Sequence, residues 1–318
     1  MNTQKHGPRI SVIIAAYNAA PFIDRALRSV LQQDEVSVEV IVVDDASTDR
    51  TREILRSYAD GRRIHLVELP HNVGAAAARQ AGMFEAQAEL IATLDADDEL
   101  LPGALSALST VLLASPDVGL TFAGIDFVDD SGSVTASYEP PDELTFHDLL
   151  SHRLVPAQTM LMRRDVLVAA GGFDSGLRVA EDWDLCLRIA QRARLVSAGG
   201  IRAVAHLHDS NTSRDQAGIL DASLLVLNRF QGVHGALCLA CHRARFRTRF
   251  EYGRPALLES VRRAVEHRDG KTLLRLCETV RVFPDVLLLG GLAAGRRRLA
   301  RRSRPLRPTP SRGARRNP

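Results

Sequence analysis

The sequence predicts an α/β fold built on a mainly parallel sheet flanked by helices. Apolar, β-branched runs of strand length alternate with segments whose apolar residues recur at helical spacing. This alternation indicates successive strand–helix–strand units with right-handed crossovers. Polar residues follow directly where three of the apolar runs end. Parallel strands bring their carboxyl ends to one edge of a sheet, which is where ligands bind.

The first half of the chain contains four predicted strands with helices between them. Asn18 is placed to cap the first helix, in whose first turn Pro21 is tolerated. Asn72-Val73-Gly74 interrupts the pattern before the third helix. We expect strands over residues 10–15, 38–43, 64–69 and 90–94, and helices over residues 22–31, 51–59 and 75–86.

The pattern changes after Leu100, where strands and helices follow one another less regularly. Residues 129–142 are rich in turn-forming residues, and Gly171-Gly172-Phe173-Asp174 is predicted to be a turn. We expect helices over residues 104–114 and 181–192, strands over residues 119–127, 160–163 and 201–208, further helices over residues 216–300, and a basic, disordered tail over residues 301–318.

Three aspartates, Asp95, Asp97 and Asp98, directly follow the fourth predicted strand. Carboxylates gathered at one strand end repel one another unless a cation neutralises them. A set of oxygen ligands that includes no Cys or His suits Mg²⁺ or Mn²⁺. Mg²⁺ in particular keeps several bound waters and bridges to substrate phosphates. An isolated Asp-x-Asp is common in surface turns, so the hypothesis of a metal site depends on the position after a buried strand.

Asp44 and Asp45 occupy the equivalent position after the second predicted strand. A carboxylate there can accept hydrogen bonds from a ribose hydroxyl or from the imide of a nucleobase. The alternative is a structural role as the cap of the following helix, for which Ser47 or Asp49 is better placed. We therefore interpret the pair as ligand-binding.

Four segments of the first half resemble, in order and spacing, the family 2 glycosyltransferases, which have the GT-A fold. They are Ser11-Val-Ile-Ile-Ala-Ala-Tyr-Asn18, Ile41-Val-Val-Asp-Asp-Ala-Ser-Thr-Asp49, Asn72-Val-Gly74 with Arg79, and Leu94-Asp-Ala-Asp-Asp98. The resemblance continues through Met160-Leu-Met-Arg-Arg164, Gly171-Gly-Phe-Asp174, Glu181-Asp-Trp-Asp-Leu-Cys-Leu-Arg188, and His208 before Asn211-Thr-Ser213. Residues 216–318 are not covered.

The resemblance implies a GT-A type domain over residues 1–215, with a mainly parallel, Rossmann-like sheet flanked by helices. Residues 1–102 would be its nucleotide-sugar-binding half and residues 103–215 its acceptor half, followed by a C-terminal helical extension over residues 216–300. It also implies a nucleotide-sugar donor, for which we expect a UDP-sugar, and Mn²⁺ or Mg²⁺ as the cofactor.

The resemblance further assigns roles to individual residues. Asp97 matches the position that bridges to the metal, and His208 matches a histidine near the diphosphate or the metal. Asp182 matches the general base that accepts the acceptor's proton. At the nucleotide, Ala15 and Tyr17 would flank the nucleobase, Asp45 with Asp44 beside it would read the nucleobase, Arg79 would lie near the nucleobase or the phosphates, and Asp95 would lie on the ribose or phosphate side.

One segment departs from the family pattern. Where the family commonly has Tyr-Arg-x-His, this chain has Ala205-His206-Leu207-His208. Either His206 replaces the arginine in part or one contact to the diphosphate is missing. A hydrogen-bonded structural histidine is the alternative to a ligand role for His208.

The mechanism can also be argued from the residues alone. Sugar transfer needs a base for the proton of the acceptor hydroxyl and a cation for the departing diphosphate. Glu181 and Asp182 open a predicted helix far in sequence from the aspartate cluster. Acids at a helix start are stabilised by the helix dipole, a role that suits Glu181 and leaves Asp182 to face the site. One base opposite the leaving group predicts inversion, by analogy with inverting hydrolases.

The predicted function is the inverting transfer of a hexosyl group to a hydroxyl of a glycan or lipid-linked acceptor, in the biosynthesis of cell-surface glycans or polysaccharides. Processive synthases of the same superfamily have a transmembrane channel and a Gln-x-x-Arg-Trp motif, and this sequence contains neither. The alternative is a non-catalytic sugar-nucleotide binder or a membrane-docked scaffold. The presence of both Asp97 and Asp182 favours the enzyme.

The positive charge of the chain is concentrated near its end. Ten arginines and no acidic residue lie from Arg296 to Arg316; the net formal charge of +3 includes them, so the remainder is acidic at about −7. The chain begins without an apolar signal segment, and residues 286–294 are shorter than the roughly 20 residues that span a bilayer. We expect a cytoplasmic protein, bound peripherally at the inner face of the membrane by this tail, with no nucleic-acid partner. A solvated, disordered extension is the alternative.

Liposome flotation tests the membrane hypothesis. We expect the full chain to float with vesicles that contain anionic phospholipid, because each surface-bound arginine gains electrostatic energy there. The chain without residues 296–318 should stay in the soluble fraction, as should both forms with neutral vesicles. Equal flotation of the two forms would contradict the hypothesis.

Overall fold

The computed structural model describes residues 9–152, 155–208 and 216–231. The chain divides into two compact units, Met1–Phe246 and Arg247–Pro318, and the second unit lies outside the described residues. So do Asn211-Thr212-Ser213, the helices predicted beyond residue 231, and the arginine-rich tail.

Ten strands of the described chain form one sheet. Its order is β3-β2-β1-β4-β9-β6-β10-β5, with β7 beside β6 and β8 beside β10. The strands are β1 (Arg9–Ala16), β2 (Ser37–Asp44), β3 (His65–Glu68), β4 (Leu90–Asp95), β5 (Glu99–Leu100), β6 (Val118–Val128), β7 (Val134–Tyr138), β8 (Glu143–Leu144), β9 (Leu161–Arg163) and β10 (Arg194–His206).

The long strands of the sheet run in one direction. The first four strands are parallel to one another. Strand β9 is antiparallel to both β4 and β6, and β10 is parallel to β6. Strands β6 and β10 therefore point the same way as β4, which confirms the prediction of a mainly parallel sheet. We call the side at which β1, β2, β4, β6 and β10 end the carboxyl edge.

Helices cover both faces of this sheet. Side chains alternate along β1, so Val12 and Ile14 pack into one hydrophobic cluster and Ile13 into the other. The first cluster is closed by α1 (Ile23–Leu31), α2 (Thr51–Asp60) and α4 (Ala104–Ala114). The second is closed by α3 (Ala75–Glu85), α5 (Phe146–His152), α6 (Arg164–Ala169), α7 (Glu181–Ala190) and α8 (Gln216–Gln231). Among these helices, none is long and apolar enough to cross a bilayer.

The register of the central strands aligns the ends that carry polar residues. Ala15 on β1 lies opposite Val43 on one side and Asp95 on the other. Ala16 lies opposite Asp44. The segments that follow β1, β2 and β4 therefore leave the sheet at the same height along the carboxyl edge, as parallel pairing predicts.

Three local predictions were wrong. Strand β10 begins at Arg194 rather than at residue 201, because Gly199 and Gly200 take positive φ angles of 68° and 66° and shift the register without ending the strand. The stretch over residues 129–142 contains strand β7. Asn18 does not cap α1; its side-chain oxygen accepts the N–H groups of Thr48 and Asp49, at 2.8 and 3.3 Å, in the neighbouring loop.

Candidate active site

The aspartates at the end of β4 form a compact cluster at the carboxyl edge. Oxygen atoms of Asp95, Asp97 and Asp98 lie within 4.8 Å of one another. Burial and the charge of Asp95 raise the pKa of Asp97, while its hydrogen bond to His208 opposes that shift. Burial, with the charges of Asp95 and Asp97, raises the pKa of Asp98 to about 8. The cluster therefore holds more negative charge than its protein neighbours neutralise.

Gln158 is a site residue that the sequence analysis missed. Its side-chain Nε2 donates to Oδ2 of Asp95 at 3.0 Å and to Oδ2 of Asp98 at 2.6 Å. It reaches the carboxyl edge because β9, which follows it, is antiparallel to β4 and so starts at the edge where β4 ends. A glutamine with no motif around it carries no sequence signal for this role.

The end of β10 brings two histidines to the same cluster. The backbone N–H of His206 donates to Oδ1 of Asp98 at 2.9 Å, and its ring Nε2 lies 2.9 Å from Oε1 of Glu99. His208 Nε2 lies 2.9 Å from Oδ2 of Asp97, and its ring stacks on Phe22 with centroids 4.5 Å apart. The contacts of His206 with Asp98 and Glu99 are structural, and His208 is held against Asp97.

Arg79 is buried between the aspartate cluster and the start of α7. It is 5% exposed, its Nη2 donates to Oδ1 of Asp95, and its Nη1 donates to Oε1 of Glu181. Burial acts to lower the pKa of Arg79, but the charges of Asp95 and Glu181 outweigh that effect and raise it. The guanidinium therefore stays charged and connects two segments that are far apart in sequence.

Asp182 stands next to this ion pair at the first turn of α7. Its Oδ1 accepts the N–H of Trp183 at 2.7 Å, and the residue is partly buried. Burial, then the charge of Glu181, raises the pKa of Asp182 to about 7, while Arg79 acts to lower it and Asp95 to raise it. A carboxyl group with a pKa near neutrality can accept a proton and release it again at physiological pH.

The two acids at the end of β2 differ in their surroundings. Asp45 accepts the backbone N–H groups of Val73 and Gly74, at 2.7 and 2.8 Å, and so fixes the loop that begins α3. Asp44 is fully buried. Its Oδ2 accepts the Nε and Nη2 donors of Arg52 at 3.0 and 2.8 Å. Each carboxylate has a structural partner, and a nucleotide contact by either one stays a prediction.

The structure thus gathers the predicted residues along one edge. Ala15 is the last but one residue of β1, and Tyr17, just beyond it, is 49% exposed. Asp45 holds the start of α3, the helix that carries Arg79, and Arg79 reaches both Asp95 and Glu181. A cavity of about 850 Å³ lies at the opposite edge, lined in part by Arg9, Leu90 and Arg163, and its lining contains none of the acidic site residues.

The aspartate cluster fits a hard divalent cation. It offers carboxylate oxygens at close range, Asp98 is buried and the other two are partly buried, and burial together with the neighbouring negative charges raises the pKa values of Asp97 and Asp98. Oxygen donors without sulfur suit Mg²⁺ or Mn²⁺ rather than softer metals. His208 borders the cluster through Asp97, and a ligand role for it stays a prediction.

The fold is of the GT-A type, the fold of the solved glycosyltransferases that this chain resembles. TarS of S. aureus, solved in complex with UDP-GlcNAc, matches with a TM-score of 0.63 and 18% identity over 86% of this chain and 80% of that one. The mannosyltransferase PcManGT from Pyrobaculum calidifontis, solved with GDP-Man and Mn²⁺, matches with a TM-score of 0.57 and 20% identity over 87% and 81%. At these identities the likeness shows the fold alone.

The chain belongs to glycosyl transferase family 2, whose model matches residues 11–169. It is 32% identical to the succinoglycan biosynthesis protein ExoU of Rhizobium meliloti over 69% of each chain. It is 34% identical to the putative teichuronic acid biosynthesis glycosyltransferase TuaG of Bacillus subtilis over 50% of this chain and 63% of TuaG. It spans 22% of the hyaluronan synthase of Pasteurella multocida, at 28% identity. The predicted family membership and GT-A fold are confirmed.

Metal binding at the aspartate cluster can be measured by thermal unfolding. We expect Mn²⁺ to raise the melting temperature of the metal-free protein, since a ligand at 100 times its Kd stabilises the folded state by about 2.7 kcal/mol. The shift should be largely lost in Asp97→Asn, which removes a ligand charge. Asp117→Asn, an exposed aspartate paired with Arg194 where β6 begins, should keep it. Equal shifts in all three proteins would exclude this cluster as the metal site.

Proposed function

We propose that this chain is an inverting, metal-dependent glycosyltransferase that moves a sugar from a UDP-sugar to a hydroxyl of a glycan or lipid-linked acceptor in polysaccharide biosynthesis. The observation that supports it most directly is the position of Asp182. Burial and the charge of Glu181 raise the pKa of this carboxyl group to about 7, and the charge of Asp95, on a different element of the fold, adds to that shift. A base and a cation site beside one another are what the reaction needs.

In this proposal the carboxyl edge divides into a donor side and an acceptor side. Ala15, Tyr17 and Asp45 lie at the ends of β1 and β2, where the nucleobase would bind, with Asp44 supporting that loop through Arg52. Asp95, on the ribose or phosphate side, is the residue that joins the two sides. Asp97, with His208 beside it, would hold the cation, which when bound supplies positive charge to the leaving diphosphate.

Asp182 would take the proton of the acceptor hydroxyl as its oxygen forms a bond to the anomeric carbon of the sugar. The bond from that carbon to the diphosphate breaks on the opposite face, and the nucleoside diphosphate leaves. The single displacement inverts the anomeric configuration, by analogy with inverting glycoside hydrolysis. Arg79 and Glu181 keep Asp182 at the head of α7 while this happens.

The solved structures that resemble this chain differ in the nucleotide of the bound donor. TarS was solved with UDP and with UDP-GlcNAc, whereas PcManGT was solved with GDP-Man. A screen of nucleotide sugars for Mn²⁺-dependent turnover or hydrolysis decides between them.

Replacing the proposed base tests the function. We expect Asp182→Asn to lower kcat by about 10²- to 10⁴-fold, the usual contribution of general base catalysis, while UDP with Mn²⁺ still raises the melting temperature as in the wild type. Asp165→Asn is the matched control, because Asp165 accepts the next backbone N–H at the start of α6 just as Asp182 does at α7. Donor binding without turnover in the wild type would instead favour the non-catalytic sugar-nucleotide binder.

The pH profile of kcat/KM tests the ionisation state that Asp182 needs. Because a base acts in its ionised form, kcat/KM should rise with pH and level off above a pKa near 7. Glu181→Gln removes the like charge that raises this pKa but keeps an oxygen for Arg79, so the rising limb should move to lower pH. Both profiles are measured at one Mn²⁺ concentration, since a bound cation also lowers the pKa. If the rising limb of the kcat/KM profile occurs at the same pH in Glu181→Gln as in the wild type, a group other than Asp182 controls the rate.

A further inference from the structure

The guanidinium of Arg79 has no nitrogen directed to an open surface. Nη2 is bound to Asp95 and Nη1 to Glu181. Its Nε is buried and has no hydrogen-bond partner among the described residues. The side chain is 6% exposed, and the Phe173 ring lies 6.0 Å from the guanidinium carbon. A phosphate or nucleobase would have to displace a carboxylate to reach it.

The helix that carries Arg79 is itself fixed against the sheet. The backbone N–H groups of Val73 and Gly74, where α3 begins, are bound by Asp45. One turn after Arg79, Gly82 packs so closely on β1 that an added Cβ would lie 2.6 Å from Cγ2 of Ile13. Arg79 therefore extends from a rigid support rather than from a mobile loop.

The two carboxylates that Arg79 joins belong to the two halves of the reaction. Asp95 is the last residue of β4 and belongs to the aspartate cluster. Glu181 is the first residue of α7 and directly precedes Asp182. The planar guanidinium holds both at once, which sets the separation between the donor side and the head of α7.

We propose that Arg79 is a positioning residue that sets the distance of Asp182 from the donor, rather than a ligand of the nucleobase or the phosphates. The proposal rests on the proposed function. An arginine is required because its rigid fork can hold two carboxylates in one plane, whereas the ammonium group of lysine is a compact point charge on a flexible stem. Retaining the charge at this position is therefore not sufficient for activity.

The test separates turnover from donor binding in Arg79→Lys. We expect kcat to fall by at least about 30-fold, while the Kd of UDP with Mn²⁺, measured by calorimetry, stays within about threefold of the wild type, in keeping with loss of a positioning contact. Arg163→Lys is the matched control. Arg163 also holds several oxygens at once, the carbonyls of Leu112, Ser115 and Val118, but it lies at the opposite edge of the sheet, so kcat should be unchanged.

A second pair of variants changes Glu181, the partner of Arg79 on α7. These variants test the same contact if Arg79→Lys folds poorly. Glu181→Ala should lower kcat without weakening UDP binding, and Glu181→Gln should recover part of the loss because it keeps an acceptor for Nη1. Donor affinity that weakens in step with kcat would overturn the proposal and make Arg79 a ligand. Unchanged kcat in both Arg79→Lys and Glu181→Ala would also overturn it.

Failure of the proposed function has a different signature. A wild-type protein that turns over no nucleotide sugar with Mn²⁺ removes the enzymatic role. The positioning role is then decided by crystal structures of the wild type and Arg79→Lys with UDP and Mn²⁺. A displaced first turn of α7 supports it, and an unchanged separation of Asp95 and Asp182 overturns it.

Discussion

The site depends on holding several carboxylates together at one edge of a parallel sheet. Each of these groups is costly to bury in its charged form, and each raises the energy of the others. The protein offsets this cost with the buried guanidinium of Arg79, the amide of Gln158 and the backbone N–H of His206. Despite these donors, burial and the charges of neighbouring aspartates still raise the pKa values of Asp97 and Asp98. We expect the remaining negative charge to favour the binding of a cation.

The topology explains why the compensating groups come from distant parts of the sequence. Strand β9 is antiparallel and enters the sheet from the carboxyl edge. Gln158 lies in the short 3₁₀ turn (Ala157–Thr159) that precedes β9, so it meets the cluster there. Strand β10 is parallel to β6 and leaves at the same edge, which delivers His206 and His208. Residues from the first four strands and residues from the last elements are thereby brought together at the carboxyl edge.

Much of this arrangement could be predicted from the sequence, because it follows from local pattern. Buried parallel strands show as continuous apolar runs, and the polar residues after them mark the edge at which they end. The cluster of Asp95, Asp97 and Asp98 and its closeness to Asp182 followed from that logic and from the family resemblance. The partners of these acids did not follow. The pairs Arg79–Glu181 and Asp44–Arg52, and the stack of Phe22 on His208, are contacts set by packing, and no spacing rule encodes them.

Helix α8 has a consequence for how fragments of this chain would behave. It lies beyond residues 11–169, the part that the family model recognises, yet Val226, Leu227 and Phe230 belong to the same hydrophobic cluster as Trp183 and Leu185 of α7. Burying an apolar side chain of this size contributes about 1.5–3 kcal/mol, and Arg229 adds ion pairs to Asp174 and Asp184. A recombinant fragment cut at residue 169 would lack α7 as well as α8. A fragment cut just before α8 would keep α7 but expose the apolar surface that α8 covers. Expression trials that aim at a minimal soluble enzyme should keep residues 216–231.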